Sequence, residues 1–263
     1  MGTSKPKVGI FGLTSCAGDQ LQILNCEDEL VRLAQRLDIV DWVMARSDNN
    51  HASRLDLAFV EGVVATERDL RTLKEIRARA KTLVAVGTCA VWGGLPAMRN
   101  DVPREVLERE VYGPGVSFLD SIEALPPTDF VPFELKIPGC PMERREFLAA
   151  VNTVLAGTDP ELPTVPVCWE CKAKENVCRV VYAQEVCCGA MTRAGCGARC
   201  PSHGVACAGC RGPIEEPNYD ANITMFAGKG ISWVEIARKM SQFSAPTWMT
   251  QGLEQETRNE PKR

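Results

Sequence analysis

Nine cysteines between Cys168 and Cys210 constrain this chain more than any other feature of its sequence. The whole chain has 263 residues and 13 cysteines. A disulfide scaffold is typical of a short secreted protein with an even number of cysteines, whereas this chain is long and its number is odd. The clustering therefore predicts metal ligation rather than cross-linking.

Composition and charge disfavour several classes of partner. Apolar residues make up 45% of the chain and charged residues 24%, and the formal net charge is -4 without any basic tract. No apolar run approaches the roughly 20 residues that span a bilayer. The first residues show neither a signal-peptide apolar region nor a twin-arginine motif. These features predict a cytoplasmic protein with no nucleic-acid partner and no direct membrane insertion.

A proline-rich stretch at residues 158–166 reads as a linker, because proline cannot continue a helix. It predicts two domains, 1–157 and 158–263, the second ending in a polar tail from about Thr247. The second domain has few long periodic runs and many Cys and Gly residues. We therefore expect it to bury little apolar surface and to fold around its metals.

The first domain alternates β-branched runs with amphipathic segments, a pattern typical of an α/β fold with a parallel sheet. The predicted strands are 8–13, 39–45, 55–61, 82–87 and 133–137. The predicted helices are 19–37, 66–79, 143–156 and a short one near 104–111. Thr66 fits the N-cap of the second helix, since acidic residues follow it in the first turn.

Three cysteines far apart in sequence each follow a predicted strand. They are Cys16, Cys89 and Cys140. The carboxyl ends of parallel strands share one edge of a sheet, so these thiols should converge there, with Glu61 beside them. The alternative is that they are buried structural thiols, since free cysteine is often buried.

A cubane iron–sulfur cluster normally takes four ligands, so one more is needed at this edge. Asp19 lies three residues after Cys16 at a helix start, where backbone N–H groups favour an anion. Cys26 lies seven residues further on, about 10 Å along a helix. We therefore predict that Asp19 is the fourth ligand and that Cys26 is a packing residue.

The second domain has enough cysteines for two four-ligand sites. A sequential partition gives one set of Cys168, Cys171, Cys178 and Cys187. It gives a second set of Cys196, Cys200, Cys207 and Cys210. An interleaved partition stays open, and Cys188 is left over as an apolar filler. We expect His203 to be a surface residue, and His51 has no metal-ligand spacing.

Zinc is the alternative metal for this domain. A zinc ribbon joins its two Cys-x-x-Cys pairs by about 15–20 residues. Here 35 residues with five further cysteines lie between the two pairs, Cys168–Cys171 and Cys207–Cys210. This spacing favours iron–sulfur clusters over zinc.

Several motifs together resemble the small (delta or gamma) subunit of cytoplasmic multimeric [NiFe]-hydrogenases, of the sulfhydrogenase, F420-type or methyl-viologen-reducing kind. The resemblance covers residues 7 to about 243. It rests on TSCAGDQLQ at 14–22, FVEG at 59–62, GTCA at 87–90, PGCP at 138–141, TRAGCGA at 192–198 and CAGCRGP at 207–213.

The resemblance implies a flavodoxin-like domain followed by a small irregular cluster domain, with three [4Fe–4S] clusters in all. The proximal ligands would be Cys16, Asp19, Cys89 and Cys140, the medial ligands Cys196, Cys200, Cys207 and Cys210, and the distal ligands Cys168, Cys171, Cys178 and Cys187. The chain departs from the family at Asp19, where most members have Cys. A carboxylate is a harder ligand than a thiolate and should alter the cluster's potential and lability.

The function implied is electron transfer between the [NiFe] centre of a partner large subunit and a further redox subunit of flavin or ferredoxin type. The chain would carry no catalytic residue and would be inactive alone. One alternative is an iron–sulfur subunit of a respiratory or formate-linked complex. Those chains use two cysteines adjacent in sequence for their cluster, whereas here Cys16 and Asp19 are separated by two residues. The other alternative is a zinc-binding scaffold protein.

Overall fold

The computed structural model describes residues 5–115, 120–158 and 160–243 of the chain. The first unit is built on a five-stranded sheet whose neighbouring strands all run parallel. Its strands are β1 (Lys7–Gly12), β2 (Asp38–Asp41), β3 (Leu55–Glu61), β5 (Ala80–Val86) and β7 (Leu135–Ile137), in the order β2-β1-β3-β5-β7. This is the order of flavodoxin-like doubly wound sheets, so the predicted fold class is confirmed.

In the described residues of the first unit, five α-helices accompany this sheet. They are α1 (Gly18–Leu24), α2 (Asp28–Arg36), α3 (Glu67–Arg79), α4 (Gly87–Trp92) and α5 (Arg104–Tyr112). Thr66 caps α3 as predicted, because its hydroxyl accepts from the Asp69 N–H while the Asp69 carboxylate accepts from the Thr66 N–H. Leu73 and Ile76 of α3 pack on Val60 and Leu83 in the core of the unit.

Two predicted elements of the first unit differ in the structure. The single helix predicted over 19–37 is wrong, because the chain breaks between α1 and α2, where Glu27 has a φ of 45°. The strand predicted over 39–45 ends at Asp41, because the Trp42 N–H donates to Asn49 Oδ1 and the chain turns there. A short antiparallel pair, β4 (Val64–Thr66) with β6 (Ser121–Leu125), was not predicted.

The second unit is helical. Its helices are α6 (Arg144–Ala156), α7 (Val167–Ala173), α8 (Arg179–Ala183), α9 (Arg199–Ser202), α10 (Tyr219–Gly228) and α11 (Trp233–Met240). The chain divides into compact units between Arg144 and Arg145, whereas the predicted linker lies beyond the end of α6. Glu146 of α6 pairs with Arg211, which joins this helix to the second unit.

The second unit has a larger apolar core than its sequence predicts. Its buried residues come from α8, from the segment that follows α8 as far as Met191, and from α10 and α11. They are Val180, Val186, Cys188, Met191, Tyr219, Ile223, Phe226, Ile236 and Met240. A second, smaller cluster of Val167, Ala198 and Cys207 lies among the predicted ligands.

None of the helices within residues 5–115, 120–158 and 160–243 is long and apolar enough to cross a membrane. The polar tail predicted from about Thr247 lies outside the described residues.

Candidate metal centres

The four predicted proximal ligands lie together at the carboxyl edge of the parallel sheet. Cys16 lies between β1 and α1, Asp19 in the first turn of α1, Cys89 in α4 directly after β5, and Cys140 after β7. Burial raises the pKa of Cys89 most, the nearby acidic groups of Cys140, Asp19, Cys16 and Glu61 also raise it, and together they bring it to about 12. The thiol of Cys89 therefore has the other three predicted ligands around it.

The Asp19 side chain is held in one position by close contacts. It is 6% exposed, and its Oδ1 accepts a hydrogen bond from the Met142 N–H at 2.7 Å. A Cβ on Gly87 would lie 1.7 Å from Asp19 Oδ2, so only glycine fits there. Burial raises the pKa of Asp19, the hydrogen bond from the Met142 N–H lowers it and Glu61 raises it, and the net result is a pKa of about 7. A buried carboxylate is stable in its ionised form only when a cation, such as a metal ion, lies next to it.

Glu61 fixes the start of α1, which carries Asp19. Its two carboxylate oxygens accept from the Asp19 N–H at 3.2 Å and from the Gln20 N–H at 3.3 Å. Glu61 is 2% exposed at the end of β3. Its predicted position beside the ligands is confirmed.

The start of α4, which carries Cys89, and the loop that carries Cys140 are hydrogen-bonded to each other. The Thr88 N–H donates to Gly139 O at 2.8 Å, and the Gly139 N–H donates to Thr88 Oγ1 at 3.0 Å. Gly94, at φ +57°, closes against Cys89, since a Cβ there would lie 2.8 Å from Cys89 Sγ. Sequence reasoning missed Thr88 and Gly94, although the Gly93-Gly94 pair is a signal of close backbone approach.

Cys26 lies in the turn between α1 and α2 and is buried, with 2% of its surface exposed. Its Sγ donates to Gln22 O at 3.4 Å, and burial raises the pKa of the thiol. It is not one of the groups that act on Cys89. Its position fits the predicted packing role.

The predicted distal ligands also gather, in the second unit. Burial raises the pKa of Cys168 most, Cys187, Cys171 and Cys178 also raise it, and the net result is a pKa of about 11. A Cβ on Gly189 would lie 3.5 Å from Cys168 Sγ and 3.6 Å from Cys187 Sγ. This set therefore surrounds Cys168 as the proximal set surrounds Cys89.

The predicted medial ligands are gathered in part. Cys207 is buried, which raises its pKa, and the thiols of Cys188, Cys187 and Cys210 raise it too, in that order. Cys196 packs against the small apolar cluster that contains Cys207, and Cys200 is exposed in α9. The Cys207 N–H donates to Cys187 Sγ at 3.2 Å, so the two sets of the second unit adjoin.

Three side chains were left out of the predicted ligand sets, and one of them, Cys188, is a near neighbour of Cys187, Cys207 and Cys210. Cys188 is fully buried in the apolar core, and burial raises its pKa to about 12. His203 is exposed, as expected. His51 is exposed too, and its Nδ1 lies 3.0 Å from Asp41 Oδ1.

The donor chemistry of these sets fits iron–sulfur clusters. In the described part of the chain, no three His, Cys, Asp or Glu side chains are close enough to share one metal ion. The ligands of a cubane bind different iron atoms and so stand apart from one another. Crowded, desolvated thiols lose their protons when a metal binds, and the metal supplies the positive charge they lack.

Comparisons with known proteins agree with this chemistry. Residues 16–154 match the family described as NADH ubiquinone oxidoreductase, 20 Kd subunit. The delta subunit of sulfhydrogenase 2 from Pyrococcus furiosus is 35% identical over 238 residues, which cover 90% of this chain and 99% of that protein. A vhu-type subunit of the F420-non-reducing hydrogenase from Methanococcus voltae is 34% identical over 271 residues, 91% of this chain and 94% of that protein.

Solved structures give the same result. A chain of an NAD+-reducing [NiFe]-hydrogenase in the H2-reduced state is 27% identical, with a TM-score of 0.56, over 60% of this chain and 96% of its own. A chain of the actinobacterial-type NiFe-hydrogenase from Ralstonia eutropha H16 aligns over 99% of this chain and 93% of its own, with a TM-score of 0.55. At 15% identity, the second likeness shows the fold alone.

The fold and the relatives define an iron–sulfur protein of flavodoxin-like architecture. The chain belongs to the 20 Kd subunit family and, within it, to the small electron-transfer subunits of [NiFe]-hydrogenases. It is one part of a larger oxidoreductase complex that acts on H2.

Proposed function

We propose that this chain carries single electrons through three [4Fe–4S] clusters, between the [NiFe] centre of a partner large subunit and a further redox subunit. One observation carries the proposal. Cys89 and Cys168, in different units, each have three other predicted ligands as near neighbours. Bound clusters supply one-electron redox chemistry, and the protein sets their positions, potentials and insulation.

The proximal cluster would be held by Cys16, Asp19, Cys89 and Cys140. The bond from the Met142 N–H fixes the Asp19 carboxylate, and Glu61 fixes the helix start on which Asp19 lies. Three thiolates and one carboxylate make a mixed ligand set with one harder ligand. This set distinguishes the site from a four-thiolate cluster.

The distal cluster would be held by Cys168, Cys171, Cys178 and Cys187, and the medial cluster by Cys196, Cys200, Cys207 and Cys210. Several donors reach sulfur atoms of the predicted distal set. The Gly189 and Cys207 N–H groups donate to Cys187 Sγ, and Asn176 Nδ2 lies 3.8 Å from Cys171 Sγ. Hydrogen bonds to ligand sulfur are one means by which a protein tunes a cluster's potential.

The relatives support the partner that we propose for this chain. Their names describe subunits of sulfhydrogenase and F420-non-reducing hydrogenase, which are multisubunit enzymes by those names. Apolar side chains are exposed around the distal set, among them Trp169 between two ligands and Tyr182 one turn after the exposed Cys178. We propose that a further redox subunit of flavin or ferredoxin type covers this surface, and that the complex works in the cytoplasm.

An anaerobic redox titration of the purified complex, followed by EPR, tests the relay. We expect three separate one-electron centres to belong to this chain, and no H2 turnover by the chain isolated from its large subunit. Fewer than three centres, or turnover by the isolated chain, would contradict the proposal.

A further inference from the structure

The most deeply buried cation of the described chain is Arg211, which directly follows Cys210 in sequence. Its side chain is 2% exposed, and its Nη2 lies 2.7 Å from both carboxylate oxygens of Glu146, itself 11% exposed. Removing two charges from water is costly, so such a pair is weak evidence for a gain in stability alone. Its place beside the medial ligands points to another role.

Arg211 also holds the segment that leads into Cys196. Its Nε donates to Ala194 O at 2.9 Å and to Arg193 O at 3.2 Å. Gly195, at φ +119°, packs directly on the ion pair, because a Cβ there would lie 2.0 Å from Glu146 Oε1 and 2.6 Å from Arg211 Nη2. One side chain thus links the backbone next to Cys196 with the backbone next to Cys210.

The other side of the Cys196 loop is fixed by Glu170. Its two carboxylate oxygens accept from the Gly195 N–H at 3.0 Å and from the Ala198 N–H at 3.1 Å. The loop therefore has little freedom, and the charge of Arg211 keeps a constant position relative to both medial cysteines.

We infer that Arg211 is a positioning residue of the medial cluster, and that the Arg211–Glu146 pair sets the reduction potential of that cluster. The inference rests on the proposed function in one respect, that Cys196 and Cys210 ligate the same cluster. Reduction adds negative charge to a cluster, so a buried cation nearby favours reduction and a buried anion opposes it. With both partners present the two effects oppose each other, and the balance between them sets the potential.

The experiment is an EPR-monitored redox titration of the purified complex carrying Glu146→Gln, Arg211→Gln or Arg211→Lys. The medial signal is assigned as the one lost in Cys196→Ser. Glu146→Gln leaves the cation unbalanced and should raise the potential of that signal. Arg211→Gln leaves the anion unbalanced and should lower it. Arg211→Lys keeps the charge and should stay closest to the wild-type potential.

The pair Arg179–Glu185 supplies the matched control, because it lies in the same unit and is more exposed than Arg211–Glu146, with side chains 25% and 41% exposed. Its Gln variants should leave the medial signal in place, since solvent and salt screen exposed charges. Shifts of the medial potential in opposite directions would indicate an electrostatic role. A merely structural role would shift the potential of both variants in the same direction.

The result that would overturn the inference is a medial potential that does not move, or that moves in the same direction in Glu146→Gln and Arg211→Gln. If the Arg211→Gln variant loses the cluster, the potential measured in Glu146→Gln alone decides the inference. That variant keeps every contact of Arg211 with the backbone. The absence of a medial signal from the wild-type complex would contradict the proposed three-cluster relay instead.

Discussion

The two units hold their ligands in opposite ways. In the first unit, Cys16, Cys89 and Cys140 are widely separated in sequence, and a parallel sheet with its own core brings their strand ends together. In the second unit, eight predicted ligands lie within 43 residues, Cys168 to Cys210, on short helices and loops. The first site is built by the fold, whereas we expect the second segment to be stabilised mainly by the metals that it binds.

Removal of iron should have the largest effect, and it should affect the hydrogen exchange of the two units differently. We expect backbone amides at residues 187–212, such as Cys188 N–H to Cys207 O, to exchange about two orders of magnitude faster after anaerobic chelation, because metal binding energy stabilises this segment. Strands β3 and β5 should keep their protection. Hydrogen–deuterium exchange of the complex before and after chelation measures both, and equal loss in the two units would remove the contrast.

A single methyl group should abolish the proximal cluster. In Gly94→Ala the new Cβ would meet Cys89 Sγ at 2.8 Å, in addition to strain of about 1–3 kcal/mol from the positive φ. Gly113→Ala is the matched control, since Gly113 has a φ of +84° and no atom within 4 Å of the added Cβ. The EPR signal of the proximal cluster should vanish in the first variant and persist in the second. If the EPR signal of the proximal cluster survived in Gly94→Ala, Cys89 would have more freedom to move than the structure indicates.

Asp19 tests whether the sheet edge supplies four ligands or three. Asp19→Cys should keep the cluster with a changed potential, and Asp19→Ala should weaken it or yield a three-iron species. Asp19→Asn sharpens the test, because it can retain the hydrogen bond from the Met142 N–H while removing the anionic ligand. An unchanged signal and potential in Asp19→Ala would exclude Asp19 as a ligand.

The two leftover cysteines should show the smallest effects, and neither Ser variant should lose iron. Cys188→Ser places a hydroxyl in an apolar core and should lower the free energy of unfolding by about 1–3 kcal/mol. Cys26→Ser should cost less than about 1 kcal/mol, because its hydroxyl can donate to Gln22 O as the thiol does. Thermal melts with iron analysis measure both, and iron loss from either variant would revise the ligand sets.

What the sequence predicted follows from local patterns. The strand ends, the Thr66 cap and the order of the cysteines along the chain all lie within short segments, and they located both the sheet edge and Glu61 beside it. The break at Glu27 was missed, because the apolar pattern continues through it. The Arg211–Glu146 pair and the core formed with α10 and α11 were also missed, because both join residues tens of positions apart, and no single segment shows such a pairing.

Metal and acid-labile sulfide analysis of the anaerobically purified complex, with its subunits identified by mass, tests the three-cluster account most directly. The account predicts about twelve iron atoms and about twelve sulfides per copy of this chain, from three cubanes, together with nickel in a co-purifying large subunit. Zinc without sulfide, or iron for only one cluster and no nickel, would contradict it.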